Sequence, residues 1–189
     1  MSPASLPHPA EVELFDDTLT CDVTLPVVFE AGASVQRPGA SEMLLRSVAL
    51  VEDSRGGDDN EERAESSAQL QRLEARMDLA LVLIGRLLQQ SNAALPMRSL
   101  RWSRHGLRID LEQAIGASPG TAGVVKLQPA EWLPDNIELP VVVLAETGTA
   151  GNHHLWLRLQ NASDALGSAL ERHLFRLHRR QIADSRRNR

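Results

Sequence analysis

The apolar positions of this chain change period twice. Between residues 11 and 30 (EVELFDDTLTCDVTLPVVFE), Leu19, Cys21 and Val23 alternate with polar neighbours and β-branched residues are frequent. This predicts one or two short strands or an extended arm. From Ser41 the stretch SEMLLRSVALVEDS turns to helical spacing, with Ser41 as a candidate N-cap and Leu44, Val48 and Val51 on one side. The two glycines and the charges of RGGDDN at 55–60 then end the helix as a linker.

Residues 61–91 carry the strongest local pattern. No proline interrupts them, good helix formers dominate, and acids gather in the first turn, where the helix dipole favours them. With position a at Leu70, the residues Leu70, Leu73, Met77, Ala80, Ile84 and Leu87 recur at alternating steps of three and four, the 3.5-residue repeat of a coiled coil. Leu81 and Leu88 at e, Leu83 at g, and Leu79 and Val82 on the far side make the second half apolar nearly all round. Such a helix must be covered on every face. It can dock one side on its own domain and the other on copies of itself, with three or four chains favoured over two because e and g widen the seam. The alternative is a central helix in a monomeric core.

Beyond Leu95 the period falls to two. Met97 to Ser103, Leu107 to Leu111, Val124 to Leu127, Ile137 to Glu146 and His154 to Leu159 read as short strands separated by Gly, Pro, Asn and Asp. They predict a small antiparallel barrel. Asn161 is expected to open a closing helix whose stripe runs Ala165, Leu166, Ala169, Leu170, His173, Leu174 and Leu177, with arginines in its last turns. The fold class is therefore α+β: a small antiparallel barrel with a C-terminal helix and extra, long N-terminal helices. The expected division is an arm with short strands and a helix at 1–60, an oligomerisation helix at 61–94, and the barrel, closing helix and basic tail at 95–189.

Composition narrows the function classes. The 189 residues are 42% hydrophobic and 24% charged, those of a folded globular chain. The most apolar run, Leu79 to Leu88, contains Arg86 and is too short to cross a bilayer, and the proline-rich start lacks the basic and apolar regions of a signal peptide. The expectation is a cytoplasmic protein without membrane insertion. Residues 1–95 hold sixteen acids and seven arginines, whereas 96–189 hold nine acids and thirteen bases. The tail from Arg179 to Arg189 carries five arginines and one acid, which suits a solvated helix end rather than a nucleic-acid module.

Catalytic and metal patterns are not found. Cys21 is the single cysteine and reads as a small buried hydrophobe. His153 and His154 are adjacent, and His173 and His178 are five apart, so neither pair has zinc-ligand spacing. Asp16–Asp17 and Asp58–Asp59 read as solvated loop charges. There is no Gly-x-x-x-x-Gly-Lys-Ser/Thr phosphate-binding loop. Trp102, Trp132 and Trp156 could stack bases, or else belong to the core or the barrel rim. No metal, cofactor or nucleic acid is implied.

Three stretches resemble a PilZ domain, a six-stranded barrel with a C-terminal helix that many bacteria use to sense cyclic di-GMP. They are LRWSRHGLRIDL at 100–111, GTAGVVKLQPAEWLPDNIELPVVVLAE at 120–146 and NASDALGSALERHLFRLHRRQ at 161–181. PilZ receptors carry an Asp/Asn-x-Ser-x-x-Gly motif; here Ser103 and Gly106 match, and Arg101 stands where the Asp or Asn belongs. Gly106 would permit a positive-φ turn, and Ser103 with Gly106 could serve either binding or structure. The resemblance also implies an Arg-x-x-x-Arg clamp in a loop ahead of the barrel. Arg72 and Arg76 have that spacing but within the predicted helix, and Arg104 and Arg108 have it on the wrong side of Ser103.

The resemblance thus implies an atypical PilZ protein: a non-catalytic, oligomeric adaptor in a bacterial cyclic di-GMP-linked pathway (motility, type IV pili or virulence), not itself expected to bind the dinucleotide and acting through an unidentified protein partner. The competing reading is a cyclic di-GMP receptor whose site is rebuilt by other arginines, such as Arg179 and Arg180, across subunits. An enzyme is the most distant reading.

Overall fold

The computed structural model describes residues 7–55, 73, 77, 95–130, 132–133, 135–149 and 151–187. The heptad positions Leu70, Ala80, Leu81, Ile84, Leu87 and Leu88 lie outside the described residues. Leu73 and Met77 are described; both are helical and exposed in the single chain.

Among the described residues three helices flank a six-stranded barrel: α1 (Pro9–Phe15), β1 (Cys21–Ala31), α2 (Ala40–Arg55), β2 (Met97–Trp102), β3 (Gly106–Leu111), β4 (Ala122–Leu127), β5 (Ile137–Thr149), β6 (Asn152–Leu159) and α3 (Asp164–Arg187). The barrel closes in the order β1-β2-β3-β6-β5-β4, and every pairing is antiparallel. The α+β architecture expected from the pattern is the one observed.

One expectation needs correction. A barrel confined to 95–189 would have five strands, but the sixth, β1, comes from the 1–60 arm. Its alternating Cys21, Leu25, Val27 and Phe29 point into the core. β1 pairs with β2 through Pro26 and with β4 from Val27 onward. A proline within a strand is tolerated where the ladder changes, since it has no N–H to donate. Pro26 sits at this change of partner, where its carbonyl accepts from Gln128 and Val27 N–H donates to Pro96. The sequence pattern broke at Pro26, and that break concealed one continuous strand.

The arm's acidic start is also not extended. Residues Pro9–Phe15 form α1, with Pro9 at the first helical turn and the His8 ring accepting from Ala10 N–H. The closing helix begins at Asp164, not Asn161, because Asn161 takes a left-handed φ of 53° and Ser163 Oγ caps Leu166 N–H at 3.1 Å. Ser41 is inside α2 and not its cap: its hydroxyl donates to the Glu138 carbonyl at 3.0 Å and accepts from Glu138 N–H at 2.8 Å, pinning α2 to β5.

The main core fills the barrel and continues under α3 through Leu166, Leu170 and Leu174. A separate cluster of Ala10, Leu14, Phe15 and Trp156 holds α1 against the outside of β3 and β6.

Candidate functional site

The β2–β3 turn carries the partial dinucleotide motif. Ser103 N–H donates to the Gly106 carbonyl at 2.9 Å, which closes a tight turn around Arg104 and His105. Ser103 is fully buried. Its hydroxyl donates to the Leu14 carbonyl at 2.6 Å and accepts from His105 N–H at 3.1 Å. The Leu14 carbonyl belongs to the last turn of α1, where carbonyls lack partners within the helix. The motif serine therefore finishes a helix end.

Gly106 does not have the positive φ expected of it. It is required by close approach: a Cβ there would collide with the Leu157 backbone carbonyl and meet Leu14 Cδ2 at 2.9 Å. The missing side chain lets β3 lie against β6 and lets α1 lie on both.

Arg101 faces α1 as well. Its guanidinium bonds Glu11 Oε1 at 2.9 Å and passes 5.3 Å from the centre of the Phe15 ring, with Asp22 at 3.9 Å. Arg108, on β3, donates to the same Glu11 oxygen at 3.0 Å, and Trp156 Nε1 donates to Glu11 Oε2 at 2.7 Å. The Trp156 ring is stacked on His8, with centroids 4.5 Å apart. One carboxylate is thus held by two guanidiniums and an indole, the donor set that suits a carboxylate or a phosphate. Burial pushes the Glu11 pKa up, but the Trp156 hydrogen bond, the Arg108 charge and the bonds from both arginines outweigh it, and the net displacement is downward. At the edge, Arg158 pairs with Glu13 at 2.9 Å.

The arginines that have the clamp's spacing are separated. Arg104 pairs with Glu171 of α3 at 2.9 Å, whereas Arg108 turns to Glu11. Arg180, offered for a rebuilt site, pairs with Glu52 of α2 at 2.8 Å. Arg72 and Arg76 lie outside the described residues. Of the tryptophans, Trp102 is core, Trp156 is covered by His8 and α1, and Trp132 is half-buried in the β4–β5 connection.

Glu11 is the site residue that sequence reasoning missed. Its partners stand 90 or more positions away along the chain, so no spacing connects them. The available signal was Pro9 followed by an acid in a first turn.

These contacts set the context for the comparisons with known proteins. The family described as "Atypical PilZ domain, cyclic di-GMP receptor" matches residues 45–187. The chain belongs to the atypical PilZ family. A crystal structure of a pathogenic protein from Xanthomonas campestris, described as a new tetrameric PilZ domain self-assembled via an unusual helical bundle, is 47% identical, covers 92% of this chain and 96% of that one, and superposes with a TM-score of 0.79. No curated protein matches. The atypical PilZ barrel is thus the fold indicated by both the residues and the relatives. Among the described residues no helix is long and apolar enough to cross a membrane, and no cluster of three or more His, Cys, Asp or Glu could hold a metal.

A second buried polar group lies where α3 covers the atypical PilZ barrel. His173 is 1% exposed, its ring is 5.6 Å from that of Trp102, and neither His173 nitrogen nor Trp102 Nε1 has a hydrogen-bond partner. Burial, with the charges of Arg176 and Arg180, pushes the His173 pKa down from 6.5 to about 4; the nearby Pro129 carbonyl opposes this weakly. Between these values the unfolded chain binds a proton that the folded chain refuses, so stability is present above pH 6.5 and lost as pH falls towards 4. The expected loss is about 3 kcal/mol. Urea unfolding of the parent and His173→Leu at pH 7 and pH 4.5 checks this: the substitution should flatten the difference, and an undiminished pH slope would move its origin elsewhere.

Proposed function

We propose that this chain is a non-catalytic, oligomeric adaptor of a bacterial cyclic di-GMP-linked pathway, in motility, type IV pili or virulence, and that it does not itself bind the dinucleotide. The observation that carries this reading is Glu11. Its carboxylate takes up Arg101 and Arg108 beside Ser103, on the face that bears the partial motif. A dinucleotide phosphate would have to displace that ion pair and α1 with it. Cys21 supports a non-catalytic role: burial and the neighbouring Asp22 push its thiol pKa up to about 11, so it carries no thiolate at neutral pH.

In this reading residues 61–94 form the assembly segment, with Leu70, Leu73, Met77, Ala80, Leu81, Ile84, Leu87 and Leu88 along its seam. The Xanthomonas campestris relative, tetrameric through a helical bundle, supports four copies. The working compartment is the cytoplasm, and the partner is another protein rather than nucleic acid or membrane.

The second reading, a receptor with a rebuilt site, draws on the family's description as a cyclic di-GMP receptor. Titration calorimetry of the full chain with cyclic di-GMP separates the two. No heat above dilution is expected. A stoichiometric isotherm with a Kd of about 10 μM or tighter would give the receptor reading its place.

A further inference from the structure

The contacts of α1 divide sharply from those of the barrel. α1 is a 7-residue helix, too short to persist without something to lie on. Its buried residues Ala10, Leu14 and Phe15 join Trp156 in a cluster separate from the barrel core. The barrel ladder closes without it. Elements of this kind open locally at a free energy below that of global unfolding. What opening would uncover is specific: Arg101, Arg108 and Arg158 around the Trp156 indole, with the apolar ground now covered by Leu14 and Phe15 and the Ser103 hydroxyl that holds the helix end.

We propose that α1 is a detachable cover, and that the face beneath it docks an acidic amphipathic helix of a partner protein, with a carboxylate at the place of Glu11 and a Leu-aromatic pair at the place of Leu14 and Phe15. The occupant's chemistry is defined by the segment that already fills the face. Three guanidiniums meet the two acids of α1, the indole N–H selects an acceptor, and the separate apolar cluster selects large side chains at the helix's C-terminal end. Tethering gives α1 an effective concentration in the millimolar range, so a partner competes only by matching these contacts and extending beyond them. The proposal rests on the adaptor reading only in needing a protein partner.

The test uses the full chain carrying Glu11→Arg, which sets a third guanidinium against Arg101 and Arg108 and should lift the cover. The probe is a fluorescein-labelled peptide of residues 7–18, read by anisotropy. The variant is expected to bind it at least about tenfold more tightly than the parent chain, with affinity falling as salt rises and falling at least about tenfold when the peptide carries Glu11→Gln. Equal binding to parent and variant, or none to a folded variant, would overturn the proposal. So would calorimetric binding of cyclic di-GMP by the variant without peptide binding, which would assign the face to a nucleotide; binding of the dinucleotide by the parent would instead overturn the adaptor reading. If Glu11→Arg does not fold, hydrogen exchange on the parent decides: α1 amides exchanging well before those of β3 support a detachable cover, and equal protection rejects it.

Discussion

Replacing Leu73, Ile84 and Leu87 together by glutamate is expected to reduce the mass seen by light scattering from that of the proposed four-chain assembly to a single chain of 20.7 kDa. The far-ultraviolet spectrum of the barrel and the emission of buried Trp102 should be unchanged. The argument begins with two described residues. Leu73 and Met77 are helical, one turn apart, and 58% and 59% exposed in the isolated chain. Large apolar side chains repeated at that spacing and left open to water are what a partner helix covers. Burying a leucine or isoleucine stabilises by about 1.5–3 kcal/mol, so in the proposed assembly three such side chains per copy would dominate the association. Glutamate removes that gain and adds repulsion between copies at the seam. A triple variant that keeps the parent's mass would place the assembly surface elsewhere. A variant that loses the barrel as well would show that the segment belongs to the core of one chain, the alternative left open by the periodicity.

The second large effect is expected from a single methyl group. Gly106→Ala should destabilise the fold by about 3 kcal/mol, the upper end for overpacking, because the new Cβ meets the Leu157 carbonyl and the Arg158 Cα, which are backbone atoms of β6 with no flexible end to yield. Gly106 pairs directly with Arg158 in the ladder, so relief requires β3 and β6 to part. Chemical unfolding of the parent and the variant measures the loss. A change below about 0.5 kcal/mol, the ordinary scatter of surface substitutions, would mean that the hairpin adjusts freely, and the glycine would need a reason outside packing. Ser103 and Gly106, left open between binding and structure by the motif alone, both act in this fold on α1 and β6.

What the residues disclosed by themselves follows the range of each interaction. The strands beyond residue 95, α2 and α3 were legible because each buries one face, and burial on one face writes a period into neighbouring residues. β1 was partly hidden because Pro26 interrupts its alternation, and only the barrel shows that the interruption is a change of ladder partner. α1 was lost altogether: seven residues give too few turns to establish a period, and its cap is a histidine rather than a hydroxyl or carboxylate. The site was legible as a list of deviations from a family motif, Arg101 above all. Its meaning was not, because the group that answers Arg101 is Glu11, from the far end of the chain. Charge complementarity between distant segments leaves no local trace.

The circular strand order has a last consequence for how copies and partners can meet. An open sheet ends in rows of unsatisfied amides and carbonyls that invite another chain to add a strand, which is how many peptides are captured and how many proteins aggregate. Here β1 reaches β4, so among the described residues no strand stands as an outer edge along its whole length. Side-chain contacts between helices, or between a helix and the wall of the barrel, are therefore expected to outweigh strand addition, and substitutions on either surface should retune affinity without creating a new outer strand.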